Sequence, residues 1–120
     1  MAWTTPPWFV LRSNSFFLSV KLEDFRKKVA KNPENLFFRY TFAQTLSDAN
    51  LTEEAVRQLE ICLERRDDWM MAFFLKAKLE IKLGRNQDAI SSLNKTIELA
   101  QAQSHENPLN EANELLESLV

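Results

Sequence analysis

Side chains that commonly carry out chemistry are scarce in this chain of 120 residues, which has one histidine, His105, and one cysteine, Cys62. A Cys–His nucleophile pair needs both groups within hydrogen-bond reach. Here they fall on different elements, His105 in the polar stretch 101–107 and Cys62 inside an apolar-periodic helical segment. His105 therefore reads as a solvated loop residue and Cys62 as a small buried hydrophobe. A single glycine leaves no glycine-rich phosphate loop, and a single cysteine leaves no internal disulfide and no multi-cysteine zinc or iron–sulfur site. The acidic pairs Glu53-Glu54 and Asp67-Asp68 stand at expected helix starts, where capping and the helix dipole account for them. No clustered loop of oxygen ligands suggests a hard cation. No catalytic residue, cofactor or metal is expected; an enzyme built on a carboxylate cluster is the residual alternative.

What remains must be structural or adhesive, and the composition narrows it. The chain is 45% hydrophobic and 27% charged, enough for one buried core. One glycine and four prolines are too few for a turn-rich β-sandwich or barrel. Fifteen basic against seventeen acidic residues give a net charge of −2, so no nucleic acid or membrane partner is expected from bulk attraction. The longest apolar run, Trp69 to Leu75, is far short of the roughly 20 residues of a membrane span. Pro6, Pro7, Arg12, Ser13 and Asn14 interrupt the pattern of a signal peptide, which predicts a cytoplasmic chain.

The breaks between helix-forming stretches are chemically legible. Asn32-Pro33-Glu34 reads as a helix start with Asn32 as cap, Thr52-Glu53-Glu54 as a second and Asp67-Asp68 as a third. Gly84 closes the third helix, and Asn107-Pro108 starts a last one. The expectation is an all-α chain with six helices at 20–31, 34–48, 52–65, 68–83, 87–102 and 108–119. Leu75 to Leu83 dissents locally by alternating apolar and charged residues with the period of a strand. Helix propensity and the longer-range repeat outweigh it.

Shifting the chain against itself by 34 residues sets Ala43 on Ala77, Asn50 on Gly84, Ala55 on Ala89, Leu59 on Leu93 and Leu63 on Ile97. Small residues where two helices approach, larger ones beyond, and turn formers between them are what a repeated helical hairpin requires. On these residues, and on the stretches Phe42-Ala43, Glu54-Ala55-Val56-x-x-Leu59 and Gly84-Arg85-x-x-Asp88-Ala89-Ile90-x-x-Leu93, the chain resembles the tetratricopeptide-repeat family. The resemblance implies a short α-α superhelix. Its expected parts are an apolar N-terminal arm at 1–19, a lead helix at 20–33, full repeats at 34–66 and 67–100, and a capping helix at 105–120. The family's boundary proline is present at Pro33 but replaced by Asp67 and Gln101. Lys76 and Glu80 stand where the family uses large apolar groups, and their spacing permits an ion pair at the surface. Burying them costs several kcal/mol unless they pair or snorkel, so that helix is expected to sit partly exposed or in a shifted register.

The resemblance also implies a non-catalytic adaptor that binds a peptide or partner protein in a concave groove. Residue by residue, the groove would hold Phe37, Tyr40, Thr41, Gln44, Asp48, Met71, Phe74, Leu75, Lys78, Ile81 and Lys82. That surface is aromatic at one end and basic at the other, suited to a segment pairing apolar side chains with an acid near Lys78 and Lys82. The family's carboxylate clamp for chaperone tails has no counterpart, because the matching positions hold Tyr40, Gln44 and Leu75. The opposing reading makes Phe37, Tyr40, Met71 and Phe74 core residues. Trp8 to Leu11 and Phe16 to Leu18 are too apolar for a solvated tail, so a rival expectation is a groove filled by this arm from the same chain or from a second copy, giving a dimer. A chaperone-like assembly factor is a further alternative.

Overall fold

The computed structural model describes the backbone of residues 7–120 and the side chains of residues 16–120. Among the described residues six helices follow one another: α1 Pro7–Lys31, α2 Leu36–Asp48, α3 Thr52–Arg65, α4 Met70–Lys82, α5 Asn86–Ala102 and α6 Glu106–Leu119. Each helix packs on the next in chain order. One buried cluster joins Phe42, Ala43 and Leu46 of α2 to Ala55, Val56 and Leu59 of α3 and to Ala72 and Leu79 of α4. A second joins Phe74 and Ala77 of α4 to Leu93 of α5 and Ala112 of α6. Because every cluster ties three successive helices, the chain zigzags into two layers, with α2, α4 and α6 in one and α1, α3 and α5 in the other.

The 34-residue period is visible in the packing. Ala43 and Ala77, Ala55 and Ala89, Leu59 and Leu93 are all completely buried. The pair Cys62 and Thr96 is equally buried, and the Thr96 hydroxyl, a helix-interior donor with no solvent, bonds the Ser92 carbonyl oxygen at 2.8 Å. Asn50 and Gly84 take the same left-handed conformation, φ 61° and 75°, at the turns between α2 and α3 and between α4 and α5. Nothing lies within 4 Å of a Cβ built on Gly84. Gly84→Ala should therefore cost about 1 kcal/mol through backbone strain alone, while Asn50→Gly is neutral to slightly stabilising; urea unfolding of both variants checks this. A Gly84→Ala variant as stable as the parent would show that the turn does not depend on the left-handed residue.

Several expected boundaries move. Asn32 does not start a helix: its amide N–H and its side-chain Nδ2 both donate to the Lys28 carbonyl oxygen, at 2.9 and 3.1 Å, and close α1. Asn35 is the cap of α2 instead, its Oδ1 accepting from the Phe38 N–H at 3.0 Å, so α2 starts after the expected residue 34. Asp67 and Asp68 form a turn, and Trp69 occupies the position before α4 with no side-chain cap. α1 starts at Pro7 rather than 20, so residues 7–19, expected as a separate arm, continue the lead helix. With no glycine or internal proline after Pro7, nothing in that stretch breaks a helix. The expectations for residues 1–6, and for the side chains of Trp8 to Leu11, lie outside the described residues.

The expectation that the helix of Lys76 and Glu80 sits partly exposed or in a shifted register is incorrect: Glu80 is buried and Lys76 largely so, in the register that the period gives. Lys76 Nζ donates to Glu80 Oε2 at 3.0 Å and to Ser92 Oγ at 3.3 Å, and Ser92 Oγ donates to Glu80 Oε1 at 2.6 Å. The Glu80 side chain is 4% exposed and the Lys76 side chain 18%. The alternating charges of this segment thus divide between a paired interior and a wet face, which only a helix allows.

Candidate interaction surface

The expected groove residues separate into three groups. At the N-terminal ends of α2 and α4, Phe37 is 71% exposed and Met71 44%, and Tyr40 is half-buried beside them. Trp69 unites them: its ring lies 4.8 Å from that of Tyr40 and 6.3 Å from that of Phe37, centre to centre, and the Arg66 guanidinium sits 5.0 Å above it. These spacings lie within the range of attractive aromatic and cation–π contacts, so the cluster is pre-arranged rather than collapsed. Burial pushes the Tyr40 phenol above its usual pKa, which keeps it a neutral hydroxyl.

Gln44 lies midway, exposed, on a polar recess with Thr41, Thr45, Ser47 and Asp48 of α2, Lys21 of α1 and Leu75 of α4. At the far end, Lys78 lies 3.7 Å from Glu111 of α6 and 4.0 Å above the Phe74 ring, and Lys82 donates to Asn50 Oδ1 at 2.6 Å. Both lysines are exposed, but each already has a partner within the chain. Phe74 and Ile81 are not surface residues of the groove: Phe74 is 2% exposed in the second core cluster and Ile81 packs against it. The reason is α6, whose Ala112, Leu115, Leu116 and Leu119 cover this part of α4. The reading of these aromatics as core is therefore correct for Phe74 and incorrect for Phe37.

Trp69 and Arg66 were not singled out from the sequence. A signal was present, because Trp69 stands 34 residues after the cap residue Asn35, a place where an indole has no local role. Phe16 and Phe17, 66% and 65% exposed, do not occupy the groove of their own chain. Cys62 is buried, and its thiol is pushed up to about 11 mainly by that burial, so it is not poised as a nucleophile. His105 is exposed at the start of α6. Among the described residues no group of His, Cys, Asp and Glu is arranged to hold a metal ion, and no helix is long and apolar enough to cross a membrane.

No protein-family model and no curated protein matches the sequence. Solved structures are similar. A tetratricopeptide repeat domain protein from Salinibacter ruber is 26% identical with a TM-score of 0.65, over 72% of this chain and 88% of its own. PcrH in complex with the chaperone binding region of PopD superposes with a TM-score of 0.75 at 17% identity, covering 99% of this chain and 96% of that one. The TPR2B domain of yeast Sti1, in its complex with pHsp70, does so with a TM-score of 0.75 at 15% identity, over 89% and 88%. Two hairpins repeating every 34 residues, the same small residues at each helix crossing and these structural neighbours agree: the chain fits the tetratricopeptide-repeat family.

Proposed function

We propose that the chain is a non-catalytic interaction module that takes an apolar segment of a partner protein across Phe37, Tyr40, Trp69 and Met71. The observation that carries this reading is Phe37, a phenylalanine left 71% exposed at the edge of an ordered aromatic cluster. Exposing it has a cost in water that folding does not require, since no core contact depends on it, and an aromatic anchor of this kind is what a hot spot uses. The reading is supported by the neighbours PcrH and Sti1 TPR2B, domains of the same fold whose structures are complexes with other polypeptides.

A partner acid near Lys78 and Lys82 fits less well than the sequence suggested. It would compete with Glu111 and Asn50 for the two ammonium groups. The Lys78–Glu111 pair is long and exposed, so displacing it costs little, and a carboxylate there tunes orientation more than affinity. Ligands selected from a peptide array should lose at least ~10-fold in affinity with Phe37→Ala and again with Met71→Ala. The melting temperature should fall only slightly, because neither side chain is in the core and Phe37 gives up only its contact with Trp69. Selected ligands indifferent to both substitutions would overturn the site.

A further inference from the structure

In the zigzag of this fold a helix of one layer is normally flanked by a helix of the other on each side, as α2 to α5 are. The two terminal helices are not. Among the described residues, α6 packs on α5 and the core cluster beneath it, and α1 packs on α2 with Arg26 reaching Glu54 of α3 at 2.8 Å. α6 belongs to the layer of α2 and α4, and among the described residues no helix packs on it in the way that α3 packs on α2 and α5 on α4. α1 belongs to the layer of α3 and α5, and among the described residues no helix stands before it as α2 and α4 stand before α3 and α5. Among the described residues α1 and α6 are therefore the two outer helices, one from each layer.

Charge and apolar surface complement each other in the same way. α1 has six basic and two acidic residues, a net +4, whereas α6 has four glutamates and no base, a net −4. With 25 residues against 13, α1 outruns α2, about 37 Å against about 20 Å at the helical rise. Phe16, Phe17 and Val20 of the overhanging part are 66%, 65% and 52% exposed, and Lys27 and Lys31 are exposed farther along. On α6, Leu109, Leu115, Leu116 and Leu119 are only half-buried, although Leu115, Leu116 and Leu119 pack on the core cluster, and Glu114 and Glu117 are exposed.

We propose that the chain self-associates head to tail, α1 of one copy packing on α6 of the next, so that the two oppositely charged outer helices form a hairpin between copies. Phe16 and Val20 meet the half-buried leucines of α6, and the lysines of α1 face its glutamates. Such a contact joins two different surfaces, so it does not close at a dimer but continues as short linear oligomers. Opposite net charge speeds and orients the encounter and makes it salt-sensitive.

Sedimentation velocity of the whole chain tests this. The mass is expected to rise with concentration past the dimer and to fall towards the monomer in high salt. Phe16→Asp with Val20→Asp blocks α1, and Glu114→Lys with Glu117→Lys blocks α6; each variant alone should be monomeric, with association weakened at least ~10-fold. Mixed, the two should form a 1:1 dimer and nothing larger, because one intact junction remains. A wild-type chain that stays monomeric at every concentration would overturn the proposal. So would an α6 variant that still dimerises alone, since that contact would be α1 against α1, or an α1 variant that does so through α6 or the groove. Circular dichroism monitors folding, and Lys27→Glu with Lys31→Glu replaces the α1 variant if helicity is lost. Phe37→Ala leaves this assembly unchanged, which separates its failure from failure of the groove reading.

Discussion

Leu93→Ala should destabilise the chain by about 3–4 kcal/mol in urea unfolding, the upper part of the range for a buried leucine that leaves a cavity. Leu93 has no solvent exposure and lies in the cluster with Phe74, Ala77 and Ala112, where α4, α5 and α6 meet. Two of its three cluster partners are that small because the helices cross closely there, so they cannot move into the space. The total stability of a domain this size is ~5–15 kcal/mol, so the loss is a large share of it. It should also be felt unevenly. α6 docks through this cluster, and in a solenoid each unit depends on its neighbour, so amide exchange should rise most in α6 and α5 and least in α1. A loss below about 1 kcal/mol would mean that the cluster is loosely packed.

The second large effect concerns the buried charges. Lys76→Met should cost about 3 kcal/mol, because it strands a Glu80 carboxylate that is 4% exposed with only the Ser92 hydroxyl for company. Glu80→Leu should cost less, since the Lys76 side chain is 18% exposed and its ammonium can swing towards water. The triple change Lys76→Met, Glu80→Leu and Ser92→Ala removes every member of the network at once and should be neutral to stabilising. Thermal and urea unfolding of the three variants gives the coupling directly. If the triple variant is as unstable as Lys76→Met, the network supplies net stability and the desolvation argument fails for this site. In the parent arrangement Ser92 of α5 bonds both Lys76 and Glu80 of α4, which ties the two helices together at one relative position.

Much of the fold was legible because the packing repeats. Ala43 with Ala77 and Leu59 with Leu93 mark the same crossing twice, and a coincidence of small and large residues 34 apart is hard to produce except by repeated hairpins. Helix ends were less legible. Asn32 and Asn35 offer the same capping oxygen three residues apart, and the choice between them depends on where α1 finishes its last turn against α2. The start of α1 was missed because composition changes near residue 22 whereas helix-forming ability does not.

The site was only partly legible. Tyr40 and Phe74 are equivalent by the period, yet one borders the exposed cluster and the other is core. The difference is the neighbour. Tyr40 meets Trp69 of the next unit, while Phe74 is covered by α6, and no local pattern around either residue contains that information.

The sequence by itself determined the six helices, their hairpin pairing and the residues buried at each crossing, because these follow from propensity, turn chemistry and a period that every repeat must satisfy. Only the tertiary structure decided that Lys76 and Glu80 are paired inside, that Trp69 gathers Phe37 and Tyr40 into one surface, and that the lysines are already engaged. Those outcomes depend on which side chains from different helices come within a few ångströms of each other, a property of the packed layers rather than of any segment.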